Sequence, residues 1–497
     1  MPGAKPKPKV TRTSLAKVLT GIQGLDEVTG GGLPKGRVTL VCGRAGCGKS
    51  LLGMEFLVHG AVQYGEPGVC MNFEETEEKL IANVASLGFD LRDLARRKKL
   101  LVDCVFIERD QIAESGEYNL DGLFIRLAQA VKAVKAKRVV LDSVEALFSG
   151  IVDTAILRSE LSRLFRWLED QKLTAIVTGE AGVSTLTRHG LEEYVADCVI
   201  SLDHRVTEQI STRRLRIVKY RGTSHGTDEY PFLIDEEGIS VVPITSLVLT
   251  HKALTDRIST GIGALDEMME GKGFFRGSSV LVTGTAGTGK SSLAANFVNA
   301  ACARGEVCLY FTFEESPSQI LRNMRSVGLD LQPWVKKRLL HFNAMRPTST
   351  GLEGHLAVIH RLISQLRPGV VVIDPITNLV SPSGSYDVKS MLVRLVDFLK
   401  VQQITSMFTN LTFAGDPQER TAAAVSSLMD TWIVLRDSKS EGPPRRELYI
   451  LKSRGMAHSR EAHELLVSKR GLELGIVLKD RTQATATEGP GAVAAAG

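Results

Sequence analysis

The sequence predicts two consecutive α/β units, each a mostly parallel sheet layered with helices. Three observations carry that prediction. The chain repeats itself once, each half alternates β-branched runs with amphipathic stretches, and each half opens with an apolar run that ends in a glycine-rich loop.

The repeat is clearest in the openers. Residues 20–36 read TGIQGLDEVTGGGLPKG, and residues 260–277 read TGIGALDEMMEGKGFFRG. Matched landmarks stay in step: Lys49 and Lys290 are 241 positions apart, Glu74 and Glu314 240, Asp142 and Asp374 232, Lys219 and Lys452 233. A repeat of that length is a whole α/β domain rather than one turn of a solenoid. The join falls near residues 243–255, which sets the halves at 12–247 and 248–480. The basic, proline-interleaved residues 1–11 are expected to form a flexible arm, and the Ala-, Thr- and Gly-rich residues 481–497 a disordered tail.

In chain order, the strand runs of the first half are RVTLV, GVCMNF, RVVLDS, LTAIVTGE, CVISLD and RLRIVKY. The second half repeats them as SVLVTG, VCLYFTF, VVVIDP, ITSMFTN, TWIVLRD and ELYILKS. Stretches of helical length between them make βαβ units and a parallel sheet.

Composition narrows the function. Hydrophobic residues make up 43% of the 497, enough for ordinary cores, and 61 basic against 56 acidic residues leave a net charge of +5. That near balance gives no case for a nucleic-acid partner. No apolar run approaches the roughly 20 residues of a membrane span, and no apolar segment follows the basic start as in a signal peptide. Seven scattered cysteines without a CxxC pair lead to the expectation of a reduced, cytoplasmic chain without structural zinc.

The chemistry begins at residues 43–50 (GRAGCGKS) and 284–291 (GTAGTGKS), which both fit GxxxxGK[ST]. Glycines let successive backbone N–H groups turn inward around phosphates at the start of the following helix. The lysine reaches the β and γ phosphates, and the serine hydroxyl ligates Mg²⁺. Two such loops, each between an apolar strand and a helical stretch, predict two ATP sites. Asp142 ends RVVLD and Asp374 ends VVVID, where a carboxylate completes the Mg²⁺ site; a buried aspartate also caps helices, but the loops favour the metal role. Glu74–Glu75 and Glu314–Glu315 end the next strand in each half, at the sheet edge where ligands bind, and either member of each pair serves as the base.

With these residues in place, the chain resembles the KaiC family of tandem RecA-like P-loop NTPases and autokinases over residues from about 12 to about 475. The most specific parts are FEE at 73–75 and 313–315, KYRGTSHG at 219–226 and KSRGMAH at 452–458. The resemblance implies homohexamers of two stacked rings with ATP and Mg²⁺ between neighbouring subunits. In the first ring it implies ATP contacts from Gly46, Cys47, Gly48, Lys49, Ser50, Leu51 and Ser86. Lys219, Arg221 and His225 would reach across from the adjacent subunit, with Tyr220 and Thr223 in the same stretch. In the second ring the set is Gly287, Thr288, Gly289, Lys290, Ser291 and Ser292, with Arg446, Lys452, Ser453, Arg454 and His458. The metal set is Ser50 and Asp142, then Ser291, Glu314 and Asp374, and Arg221 and Arg454 act as catalytic cations supplied in trans.

One difference separates the halves. Anchored on Asp197 and Asp430, the first reads EEYVAD and the second VSSLMD, so Ser426 and Ser427 stand where the first has Glu193 and Tyr194. A Ser-Ser pair alone is a common cap or turn element. The resemblance makes Ser426 and Ser427 the phosphorylated pair, Thr421 a further hydroxyl of that region and Glu314 the base, and leaves the first half an ATPase only. The chain departs from the best-known clock proteins by having Ser-Ser for their Ser-Thr, Val327 for a tryptophan beside the nucleotide, and no counterpart after Gly475 of the segment that recruits an activating partner. A KaiA-like activator is therefore not expected, whereas residues 114–123 (ESGEYNLDGL) resemble the region that docks a KaiB-like protein. Two other readings compete: a DNA-dependent RecA-like ATPase, and a nucleotide-gated scaffold without kinase activity. The basic stretch LSRLFRW (161–167) lacks the aromatic interleaving of a nucleic-acid surface.

Overall fold

The computed structural model describes residues 15–477 apart from 106–119, 149–153, 183–184, 188–189, 191–194, 208–209, 244–253, 347–351, 380–384, 413–426 and 438–444. The expected arm and tail lie outside the described residues. The chain divides into two compact units, 1–247 together with 353–361, and the remainder from 248.

Each unit is built on a nine-stranded sheet. In the first, the spatial order is Gly238–Val241, Glu229–Asp235, Ile210–Tyr220, Cys198–Thr207, Val38–Gly43, Thr174–Glu180, Arg138–Asp142, Gly68–Asn72, Leu100–Cys104. The six strands from Cys198–Thr207 to Leu100–Cys104 are parallel, and the three on the other flank are antiparallel additions. The second unit has the same order, from Gly471–Val477 through Ser279–Gly284 at the centre to Leu340–Ala344. The fold is therefore two tandem RecA-like α/β domains.

The central strands form because they are buried on both faces, so nearly every residue is apolar. Along Val38–Gly43 all six residues are buried; Val41 packs into the core under the helix Lys49–Gln63, while Val38, Leu40 and Cys42 pack into the core on the opposite face. The second face is covered by the helices Asp121–Val134, Val144–Phe148 and Thr154–Asp170, whose leucines Leu127, Leu147, Leu161 and Leu164 are buried. Every run expected to be a strand is one. The sequence reading missed Leu100–Cys104 and Leu340–Ala344, edge strands buried at their first residue and only partly along the rest. It also missed Glu229–Asp235 and the hairpin His463–Ser468 with Gly471–Val477, which lie in the antiparallel flanks.

All seven cysteines are free thiols. Among the described residues no helix is long and apolar enough to cross a membrane.

Candidate active site

The phosphate loops sit at the carboxyl edge of the parallel strands. Gly43 has no room for a side chain: a Cβ there would lie 2.4 Å from the Leu202 carbonyl oxygen. Gly48 and Gly289 adopt φ of +105° and +101°, a left-handed backbone that other residues rarely hold. They precede the helices Lys49–Gln63 and Lys290–Ala303, whose amino ends carry no side-chain cap. Thr76, Asp90 and Ser316, by contrast, cap the helices that follow them. The first-turn N–H groups of the two loop helices are thus left for an anion.

Lys49 Nζ folds back over its loop, donating to the carbonyls of Gly43 (2.8 Å) and Arg44 (3.1 Å). Lys290 does the same to Gly284 (2.9 Å) and Thr285 (2.7 Å). Burial pulls the Lys290 pKa down while Asp374 and Glu314 push it up, which puts both carboxylates in its field. Cys47 and Thr288 are fully buried, so any contact they make with a nucleotide is through the backbone.

Asp142 and Asp374 are buried at the ends of their strands, each held by hydroxyls. Thr178 Oγ1 donates to Asp142 at 2.5 Å, and Ser50 of the loop also bonds it. Burial raises the Asp142 pKa, and those two bonds oppose the rise. Asp374 accepts from Tyr310 Oη at 2.6 Å and from Thr409 Oγ1. A loop serine hydroxyl against a fixed carboxylate is a hard-oxygen donor set that suits Mg²⁺ sharing its remaining positions with phosphate and water. Among the described residues no cluster of three or more His, Cys, Asp or Glu forms a self-sufficient metal cage.

The paired glutamates separate. Glu74 accepts from Ser143 Oγ at 2.5 Å, beside Asp142, while Glu75 accepts from Asn83 Nδ2 at 3.1 Å on the next helix. In the second half Asn323 Nδ2 holds Glu315 at 3.2 Å, and Glu314 is the one that Lys290 senses. Glu74 thus sits beside Asp142, Glu314 lies within the field of Lys290, and the second glutamate of each pair is tied to the following helix.

The KxRG stretches lie elsewhere. Lys219 pairs with Val199 and Tyr220 with Cys198, at the start of their neighbouring strand, and the Arg221 amide bonds the Asp197 carbonyl. Asp197 in turn bonds Val38, the first residue of the strand whose other end is Gly43. Five residue steps of about 3.3 Å put that amino edge about 17 Å from the loop of the same half. The second half repeats the placement: Arg454 bonds the Asp430 carbonyl, and Asp430 bonds Ser279, the first residue of its central strand. Lys452 Nζ donates to the Met429 carbonyl, and Arg454 to that of Ser427. Ser427 is exposed at that edge; Ser426, Thr421, Glu193 and Tyr194 lie outside the described residues, as do residues 114–119. Tyr220 is buried, donating to the Gly32 carbonyl under the Lys17 ammonium, and Ser453 is buried against Thr431. Their side chains belong to the core. Ser86 and Arg446 are exposed, and the buried ring nitrogens His225 Nδ1 and His458 Nε2 have no hydrogen-bond partner among the described residues.

Comparison with known proteins agrees with this geometry. A family profile described as "ATPase: KaiC" matches residues 18–246 and again 258–477. The chain belongs to the KaiC ATPase family. It is 54% identical over 463 residues to the circadian clock protein KaiC2 of a Synechocystis strain, covering 93% of this chain and 82% of that one. It is 36% identical to the circadian clock oscillator protein KaiC of Parathermosynechococcus lividus (93% and 85% covered) and 35% to that of Synechococcus elongatus (93% and 89%).

Within this KaiC-family site, sequence reading missed Thr178 and Thr409, the hydroxyls that hold Asp142 and Asp374. A threonine at the same place in both TAIVTGE and ITSMFTN was the available signal. It also missed Asn72, whose side-chain oxygen accepts from both the Glu74 and Glu75 amides and shapes the strand end.

Proposed function

We propose that this KaiC-family chain hydrolyses ATP as a homohexamer, one ring from each half, and that its second half phosphorylates Ser426 and Ser427. The supporting observation is the placement of each half's KxRG turn at the sheet edge opposite its own phosphate loop. Arg221 and Arg454 cannot serve the nucleotide of their own domain across about 17 Å of strand, so a neighbouring copy's nucleotide is their target. The same argument applies to Ser427, which shares that edge with Arg454. When bound, Mg²⁺ neutralises charge on the β and γ phosphates. Ser50 and Asp142 would hold it in the first half, and Ser291, Asp374 and Glu314 in the second.

In this reading Lys49 and Lys290 bind phosphate, Glu74 orients the attacking water, and Glu314 takes the acceptor hydroxyl's proton from the neighbour. The relatives' names associate them with the circadian clock, and a role in timing or signalling follows for this chain, with a KaiB-like protein as partner. The DNA-dependent alternative finds no support in the 160s helix, where Arg163 is paired with Asp121 and Glu160. The test is peptide mass spectrometry after incubation with Mg-ATP, beside the double variant Ser426→Ala, Ser427→Ala. Phosphate on that peptide, absent in the variant, is the expected result. Hydrolysis with no phosphate on the chain would leave a tandem ATPase that uses nucleotide only as a gate.

A further inference from the structure

A cavity of about 300 Å³ lies beside the first phosphate loop, walled by Arg44 and by the chain that follows the strand Thr174–Glu180. That wall is fixed to the loop itself, since the Ala181 amide donates to the Gly43 carbonyl at 3.1 Å. The cavity therefore opens at the carboxyl edge that carries Lys49, Ser50 and Asp142.

Its floor is polar by strand alternation. Ser201, Asp203 and Arg205 are every second residue of one strand, Arg214 and Arg216 of the next, and the cross-strand pairs Ser201–Arg216 and Asp203–Arg214 set them on one face. Among the described residues four arginines and two carboxylates, Asp203 and Glu229, line the space. Glu229 takes Arg205 at 3.1 Å and Arg214 at 2.9 Å, and Asp203 takes Arg205 as well. Among the described residues Arg44 and Arg216 have no ion pair, so the cavity carries an excess of positive charge.

The second half lacks this feature. The counterparts of Arg44, Arg214 and Arg216 in the repeat are Thr285, Glu447 and Tyr449, and Asp203 becomes Arg436, which pairs with Glu447 at 2.7 Å. The charge pair is reversed and the surplus arginines are gone. A structural device of the duplicated fold would be present in both halves; this one accompanies only the half that carries no phosphoacceptor serines.

We propose that the cavity is an anion site that receives inorganic phosphate released in the first half. Orthophosphate fits the chemistry: guanidinium forks bind it bidentately, and the volume admits it with part of its hydration shell. The inference rests on ATP hydrolysis in this half, but phosphate binding is measurable without turnover.

The experiment titrates inorganic phosphate into the full ADP-loaded chain by isothermal calorimetry, beside Arg216→Tyr, which copies Tyr449, and Arg216→Gln. Phosphate should bind the parent chain, and both variants should bind it at least about tenfold more weakly, the loss of one charge-assisted contact, with Mg-ATP affinity and melting temperature unchanged. In steady-state hydrolysis the same variants should be less inhibited by added phosphate. Equal phosphate affinity in parent and variants, or no binding to the parent at millimolar phosphate, would overturn the proposal. A chain that binds phosphate as expected yet releases none from ATP would instead sink the hydrolysis reading.

Discussion

Glu74 and Glu75 are the same residue type one position apart, and what holds each of them distinguishes their chemistry. A base must stand where the nucleophile is activated, and Glu74 is held by Ser143 beside Asp142 whereas Glu75 is drawn to Asn83 on the following helix. In a chain carrying Glu314→Gln to silence the second half, Glu74→Gln should lower phosphate release by about 10²-fold or more, and Glu75→Gln by only a few-fold. Equal losses would return the assignment to an open choice. Thr178 allows a second residue-level test. Thr178→Val keeps the shape but removes a donor from a buried carboxylate, at a cost of about 1–3 kcal/mol in stability or in Mg²⁺-dependent nucleotide binding. A melting curve with and without Mg-ATP separates the two.

At the scale of elements, the loop helix of the first half carries an acid in its core. Glu55 is 1% exposed, accepts the Ile239 amide at 2.6 Å, and has its pKa pushed up to about 8, chiefly by burial and further by Asp235. The repeat puts Asn296, a neutral amide, at the matching position. A carboxyl whose folded pKa lies above its unfolded value of 4.5 stabilises fully below pH 4.5, and that contribution is lost as pH rises through about 8. Glu55→Gln keeps the acceptor and removes the titration. The variant should melt like the parent near pH 5 and above it near pH 8.5, followed by circular dichroism. A parent whose first transition does not fall across that window would show that Glu55 titrates normally.

For the whole molecule, the decisive property is that each half's phosphate loop and KxRG turn lie at opposite edges of its sheet. If the catalytic cation comes from a neighbouring copy, two defects on different edges should complement each other. Glu74→Gln chains and Arg221→Ala chains, each also carrying Glu314→Gln, should hydrolyse slowly alone. An equal mixture allowed to exchange subunits should recover about a quarter of parental first-half activity, the share of interfaces that draw each intact edge from a different chain. Activity that stays at the sum of the two separate preparations would put Arg221 in its own subunit's site or outside catalysis.

Much of this was determined by sequence alone. The loops GRAGCGKS and GTAGTGKS, the strand ends RVVLD and VVVID, and the repeat are local patterns whose chemistry depends on spacing within a few residues. So are the central strands, which must be apolar because both faces are covered. The edge strand Leu340–Ala344 escaped because incomplete burial lets His341 and Asn343 interrupt its apolar run. Tertiary structure alone decided the rest. It separated Glu74 from Glu75 through Asn83, turned Tyr220 and Ser453 into the core, and brought Arg44 to Arg216 across more than 170 positions of chain. It also put Lys219 and Lys49 at opposite edges of one sheet, on strands that share Cys198–Thr207 as their neighbour. Those relations depend on which strands are neighbours and which way each one runs, and neither is written in any local stretch of sequence.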